Sequence, residues 1–426
     1  MALPESQTSA LEARLSLPPS NGHWARTARE DAAARVRAMG LPGRRDEYWR
    51  FTNPGELNLP DAPAAAIFDP GDETEVFADI DRLRIVFVDG VFDAEASDDL
   101  EMAGLEIDRL GDASARDIHW ARDLYGVLEA RGQDPVLRPF AALNTATATD
   151  GLLIRATAKA ARPVAFVYLH SDPQSDAVLH HVVRVEPGAE VTVLEAGPAA
   201  ARFNKCMEID VADGGAFHHV RAQGRDHERR AMTHMFARLG EGSVYKSFTL
   251  TANGVLTRNE QVIELLGDQG VAHVAGAALG DGDFHHDDTV FITHDAFDCE
   301  SRQVFKKVLR NGATGVFQGK ILVQPGAQKT DGYQISQSLL LDEDSQFLAK
   351  PELEIYADDV ACSHGSTSGA IDETALFYLR ARGVPVKDAQ DLLTLAFVAE
   401  AIEEIDNPEI AADIQTRLEG WLGRRR

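Results

Sequence analysis

The runs VAFVYL (164–169), VTVLEA (191–196) and VYKSFTL (244–250) decide the fold class. Each is short, apolar and rich in β-branched or aromatic residues, the pattern of a buried strand bounded by turns. Glycines punctuate the same region: Gly188, Gly214, Gly215, Gly240, Gly242, Gly254, Gly267, Gly280, Gly282, Gly312, Gly315 and Gly326. No helical period intervenes. Residues 151–368 therefore read as one large all-β domain: a sandwich pair, a barrel or a β-solenoid. No strict repeat chooses among them.

Outward from this core the texture is helical. Residues 24–39, WARTAREDAAARVRAM, favour a helix that Gly40 and Pro42 stop. The charged and aromatic stretch 44–52, ending DEYWRFT, reads as a helix end packing its aromatics onto the next domain. Residues 53–80 read as a linker, and 83–92 as a strand pair around Asp89-Gly90. Residues 116–146 return to helical composition, with Leu124, Leu128 and Leu137 as expected core contacts. Past Gly369, residues 372–382 start acidic and end on Arg380 and Arg382, which complements a helix dipole. Residues 388–405 predict a second helix, apolar nearly all round at Leu392–Val398, and such a helix must be covered on more than one face. A last helix follows Pro408. The domain expectation is 1–150 mostly helical, 151–368 β core and 369–426 helical.

The chain has 426 residues, too many for a single common core. Its formal charge is -26, which opposes encounter with DNA or anionic lipid, so neither nucleic acid nor membrane is an expected partner. No apolar run is long enough to span a bilayer, and no secretory signal is visible at the start. Three cysteines without a C-x-x-C, Cys206, Cys299 and Cys362, make no disulfide framework, and a reducing cytoplasm is the natural setting.

The richest chemical line is PELEIYADDVACSHGSTSG (351–369). On an extended segment Val360, Cys362 and His364 share one face. A thiolate and an imidazole at that spacing suit iron–sulfur iron, zinc or copper(I), but two ligands do not complete a site. On spacing alone a buried Cys and a hydrogen-bonded His are the commoner case. A second group is His285, Asp287 and His294, which a metal-dependent oxygenase or a polysaccharide-active β-fold enzyme would use, against the commoner reading of polar turn residues. His180-His181 and His218-His219 are adjacent pairs, one inward and one outward on any strand. No P-loop and no G-x-S-x-G elbow is present.

The line 351–369 resembles the C-terminal signature of the SufB/SufD family of iron–sulfur cluster assembly scaffolds. Ser301-Arg302-Gln303, Phe305-Lys306, Gly319-Lys320, AQKTDGYQ (327–334), Leu339-Leu340-Leu341 and ALFYLRARG (375–383) agree with it, and DEYWRFT (46–52) resembles the SufD branch. The resemblance implies a right-handed parallel β-helix between helical N- and C-terminal domains. It implies a non-catalytic scaffold subunit that pairs with SufB, binds the ATPase SufC through its C-terminal helices and receives sulfur indirectly from a cysteine desulfurase. It also implies a homodimer when those partners are absent. No permanent cofactor is expected, only an iron–sulfur cluster held transiently with the partner. The family's His at the SufB interface falls on His364, with Cys362 two residues before it. Cys206 and Cys299 match no functional cysteine.

Overall fold

The apolar runs form strands because both of their faces are buried, as in parallel sheets generally. A computed structural model describes residues 5–19, 22–67, 74–224 and 228–424. Its strands begin with β1 (Leu83–Val88), β2 (Val91–Asp93), β3 (Leu105–Arg109), β4 (Leu152–Ala156), β5 (Val164–Leu169), β6 (Asp176–Val185), β7 (Glu190–Ala196) and β8 (Arg202–Val211). They continue with β9 (Ala216–Gln223), β10 (Arg230–Leu239), β11 (Val244–Ala252), β12 (Leu256–Leu265), β13 (Val271–Asp281) and β14 (His285–His294). The last are β15 (Glu300–Arg310), β16 (Thr314–Val323), β17 (Asp331–Leu340), β18 (Gln346–Ile355) and β19 (Ala361–Gly369).

From β4 onward, successive strands alternate between two sheets. One sheet runs β19-β17-β15-β13-β11-β9-β7-β5-β1-β2 and the other β18-β16-β14-β12-β10-β8-β6-β4-β3. Every pairing is parallel except β1 with β2 and β3 with β4. The chain thus winds as a β-solenoid of about seven turns, the parallel β-helix that the resemblance implied. The solenoid does not start at residue 151: β1 pairs in parallel with β5, so residues 83–109 already belong to both sheets.

Glycine matters most at the corners. Gly224 has φ +78°, and a Cβ there would lie 2.1 Å from the carbonyl oxygen of Ala252, so only a bare backbone turns between β9 and β10.

The helices cover the two faces separately. In the N-terminal part these are α1 (Glu5–Arg14), α2 (His23–Met39), α3 (Leu110–Ala113), α4 (Val127–Arg131) and α5 (Pro139–Thr147). Here α4 and α5 pack on β6, β8 and β10. The C-terminal part has α6 (Glu373–Arg380), α7 (Val386–Ile402) and α8 (Pro408–Gly423), and α7 lies on β13 and β15. Asp372 and Asn407 cap α6 and α8 by accepting bonds from the first free amides. Val398, Ala401, Ile402, Ile410, Ile414 and Trp421 join Val220, Leu250 and Ala277 in the core between these helices and the sheet.

The stretch 116–146 is not one continuous helix. Left-handed Gly126, then Gly132, Pro135 and Pro139, divide it into a 3-10 turn, α4 and α5. Leu124 and Leu128 are buried as expected, but Leu137, between two prolines, is 57% exposed. The linker 53–80 is irregular yet anchored: Arg202 donates to the carbonyl oxygens of Leu59, Pro60 and Asp61. Residues 68–73 of it lie outside the described residues.

Candidate functional site

The last turn of the solenoid ends both sheets on long parallel strands. β18 and β19 each pair on one side only, with β16 and β17. Among the described residues no strand bonds their other side, which leaves an open edge on both sheets at once.

Cys362 and His364 lie on β19. The register sets Cys362 beside Gly332, His364 beside Gln334, Ser366 beside Ser336 and Ser368 beside Ser338. The residues on β17 in this set are buried and face the solenoid interior. The hydroxyl pairs touch, Ser336 to Ser366 at 3.0 Å and Ser338 to Ser368 at 2.9 Å. Cys362 and His364 therefore share the inward face, as strand periodicity requires, with a hydroxyl strip completing the row.

Cys362 is half-buried against a small apolar cluster of Ile321, Val323, Ala327 and Ala357. Burial pushes its thiol above the ordinary range, and Asp331 adds to this, while a backbone hydrogen bond at Gly332 opposes it. The sulfur fits because Gly332 has no side chain: a Cβ there would sit 3.2 Å from Sγ. His364 is exposed. On the outer face, Ala361 and Ser363 border a groove shared with Arg302, Asp331, Tyr333, Glu400, Glu403 and Glu404.

The other expected groups are distributed differently. His285 and Asp287 point outward from β14 beneath the N-terminal segment. Thr52 Oγ1 donates to Asp287 at 2.5 Å and lies 3.0 Å from His285 Nε2. Arg258 donates to Asp287 at 2.6 Å and to Glu260 from its other nitrogens. His294 points inward, on the opposite face, and bonds Ser301 at 2.8 Å. Burial lowers its basicity to about 4. These three side chains do not converge, because the offsets from His285 and Asp287 to His294 along the strand are odd, which puts His294 on the opposite face. Among the described residues no group of three or more His, Cys, Asp or Glu side chains is placed to hold a metal ion.

The adjacent histidines split as strand geometry demands. His180 faces Glu208 outside at 2.8 Å, and His181 stacks on Phe166 inside. His219 bonds Glu195 inside at 2.7 Å, and His218 looks out toward Asp406. Cys206 is buried under the N-terminal helices, and Cys299 is buried with its thiol donating to the carbonyl of Gly267 at 3.4 Å. Burial raises both thiols, Cys206 strongly.

Two constellations escaped the reading of the sequence. One is the inward polar row of Gln334, Ser336, Ser338, Ser366 and Ser368. Its signal was present: QISQS and CSHGSTSG are polar at alternate positions, as β11 at Ser247, Thr249 and Thr251 and β15 at Ser301 and Gln303 already are. The other is a basic ladder on the outer face, where His218, Lys246, His273 and Arg302 stand in register on β9, β11, β13 and β15. The end of α7 and the following turn meet it with acids. Glu404 bonds His273 at 3.0 Å, and Asp406 bonds Lys246 at 2.7 Å.

Comparison with known proteins agrees with this architecture. The family model described as "SUF system FeS cluster assembly, SufBD core domain" matches residues 168–397. The iron-sulfur cluster assembly protein SufD of Escherichia coli is 28% identical over 393 residues, covering 89% of each chain. An iron-sulfur cluster assembly SufBD family protein of Synechocystis is 28% identical over 414 residues, covering 92% of this chain and 88% of its own. The SufD protein of Bacillus subtilis is 25% identical over 372 residues, covering 84% of each. The chain therefore belongs to the SufB/SufD family of SUF-system iron–sulfur cluster assembly proteins, on its SufD side.

Proposed function

We propose that this chain is a non-catalytic scaffold subunit that presents Cys362 and His364, at the open end of its solenoid, to a SufB-type partner. The observation that carries the reading is an incomplete ligand pair on a strand whose outer edge is unpaired. A thiol and an imidazole supply half of a tetrahedral iron environment, and a second subunit docking on that edge supplies the rest. The nascent cluster is cargo shared by the two chains. Its sulfur comes from a cysteine desulfurase through the partner.

ATP hydrolysis belongs to a SufC-type subunit, since this chain has no P-loop. Its docking surface is the bare face of α6 and α7, where Phe377 is 73% exposed and Tyr378, Val386 and Leu392 are exposed beside it. Exposed aromatic and aliphatic residues clustered in this way mark an interaction surface. Without partners the free edges pair with those of a second copy, giving the homodimer.

The test is co-expression of the tagged chain with SufB- and SufC-type subunits, followed by iron and sulfide analysis of the complex. A His364→Ala variant is expected to assemble the complex with wild-type stoichiometry but to accumulate little cluster. Normal cluster content in that complex would refute the role of His364. Failure of the wild-type chain to co-purify with either subunit would refute the scaffold reading.

A further inference from the structure

Beneath His364 lies a buried amide that is one bond short. Gln334 is fully buried. Its Nε2 donates to Oε1 of Gln303 at 3.0 Å, and Gln334 Oε1 has no donor. Gln303 Nε2 likewise has no acceptor. The two amides thus form a short chain with a free acceptor on Gln334 and a free donor on Gln303. A buried carbonyl left unpaired is costly, and such atoms are rare unless a partner or a function accounts for them.

Gln334 is held where it is by a glycine across the interior. A Cβ on Gly319 would lie 2.3 Å from Gln334 Nε2, closer than any real contact. The amide nitrogen is therefore packed against bare backbone and committed to Gln303, which leaves the carbonyl oxygen as the end available to a neighbour. The neighbour set by the parallel register is His364, one strand spacing away. Ser336 with Ser366, and Ser338 with Ser368, already bond directly across these same two strands on the same face.

We infer that Gln334 is a positioning residue for His364, its side-chain carbonyl accepting the N–H of one imidazole nitrogen so that the other nitrogen keeps its lone pair for iron at the docking edge. A ligating histidine commonly donates its second N–H to a carbonyl or carboxylate, which fixes both tautomer and ring orientation. Gln303 extends the support one strand deeper, and Gly319 makes room for it. The inference rests on the proposed role of His364 for its functional meaning; the bond it infers, for which the structure shows the free acceptor and the register, is tested independently of that role.

The experiment uses the full chain with 15N-labelled histidine and reads the ring-nitrogen resonances of His364, assigned by difference with His364→Gln. Gln334→Leu removes the acceptor, and Gln334→Glu keeps an oxygen at the same place and size. The expected result is that Gln334→Leu shifts both His364 ring nitrogens and mixes its tautomers, that Gln334→Glu leaves a hydrogen-bonded ring, and that His218 and His273 do not move. In the assembled complex Gln334→Leu is expected to weaken iron retention by about 10–100-fold, with Gln334→Glu largely restoring it.

Unchanged His364 resonances in a folded Gln334→Leu chain would overturn the inference. Should that variant not fold, the isosteric Gln334→Glu decides alone. A carboxylate in contact must change the His364 ring signals before those of any other histidine, and their constancy would overturn the inference equally. If His364→Ala leaves cluster content normal while the Gln334 variants still move the His364 ring, the contact stands and the cluster role fails, so the two failures are distinguishable.

Discussion

Replacing Asp287 by alanine tests whether the His285–Asp287 region is a metal centre or the anchor of the N-terminal segment. Asp287 has no exposed side-chain surface and accepts from Arg258, itself 1% exposed, and from Thr52. Removing one partner of a buried pair costs about 3–5 kcal/mol, because the other charge is left without compensation. Arg258 retains Glu260 at 2.6 Å, which points to the lower end of that range. The lost bond from Thr52 adds about 1 kcal/mol.

The loss should be local first. Arg258 also donates to the carbonyl of Tyr48 at 2.7 Å, and its guanidinium lies over the Trp49 ring at 4.3 Å. Loosening Arg258 therefore frees the segment 46–52 from the sheet. A change of about 3 kcal/mol raises the opening equilibrium of that segment more than a hundredfold. Hydrogen exchange by mass spectrometry on peptides covering 44–55 would read it, with urea unfolding as the global measure. Faster exchange there, with β16 to β19 still protected, is the expected outcome. A destabilisation below about 0.5 kcal/mol, or the loss of a stoichiometric bound metal in place of the exchange effect, would refute the anchor reading.

The electrostatic contact between α7 and the basic ladder should weaken in acid. Glu404 is held below the ordinary carboxylate value of 4.5 chiefly by its bond from His273, so its stabilisation is fully present above that value and is lost as pH falls through the lower folded value. Hydrogen exchange of α7 and α8 across pH 6 to pH 3 should accelerate less steeply in Glu404→Gln than in the native chain; identical profiles would count against this contact. Of the three thiols, Cys362 should react first with a small alkylating reagent, since Cys206 and Cys299 are buried, yet more slowly than a free thiol because burial raises it; modification at the same rate persisting in Cys362→Ser would contradict the burial pattern. Leu392→Asp should leave thermal stability within about 0.5 kcal/mol, as a half-exposed surface change does, and should abolish co-purification of the ATPase subunit; undiminished recovery would remove this face from the docking surface.

Much of the architecture could be read from the chain before its shape was known. Strands in 164–250, the hairpin at Asp89-Gly90 and the terminal helices follow from local pattern, because burial on both faces, turn glycines and helix caps each leave a local mark. The choice of a solenoid over a barrel or sandwich did not follow from pattern. Its register partners lie about 30 residues apart, as Ser336 and Ser366 do, and the side chains at equivalent positions share burial rather than identity. The family signature supplied what periodicity could not. That Cys362 and His364 share one face was legible because alternation on a strand is strict; that the face is the inward one came only with the fold. The helical reading of 116–146 broke at glycines and prolines whose spacing favours three short pieces, and Leu137 went to the surface with that break. That Gln334 lies beside His364 was not legible, since only the register places residues so far apart side by side.

The two ends of the solenoid are finished in different ways, and this bears on how large an assembly can grow. At one end β2 and β3 run against the direction of the stack, so each sheet ends on a short reversed strand. At the other, β18 and β19 stop without a reversal. A stack with two open ends would add copies head to tail without limit, as fibres do. The short reversed strands offer a poor template for a further parallel strand, whereas β18 and β19, 10 and 9 residues long, offer a good one, so joining is favoured at that end. If partners join at that end, as proposed, a second copy and any other subunit are expected to compete for the same edge.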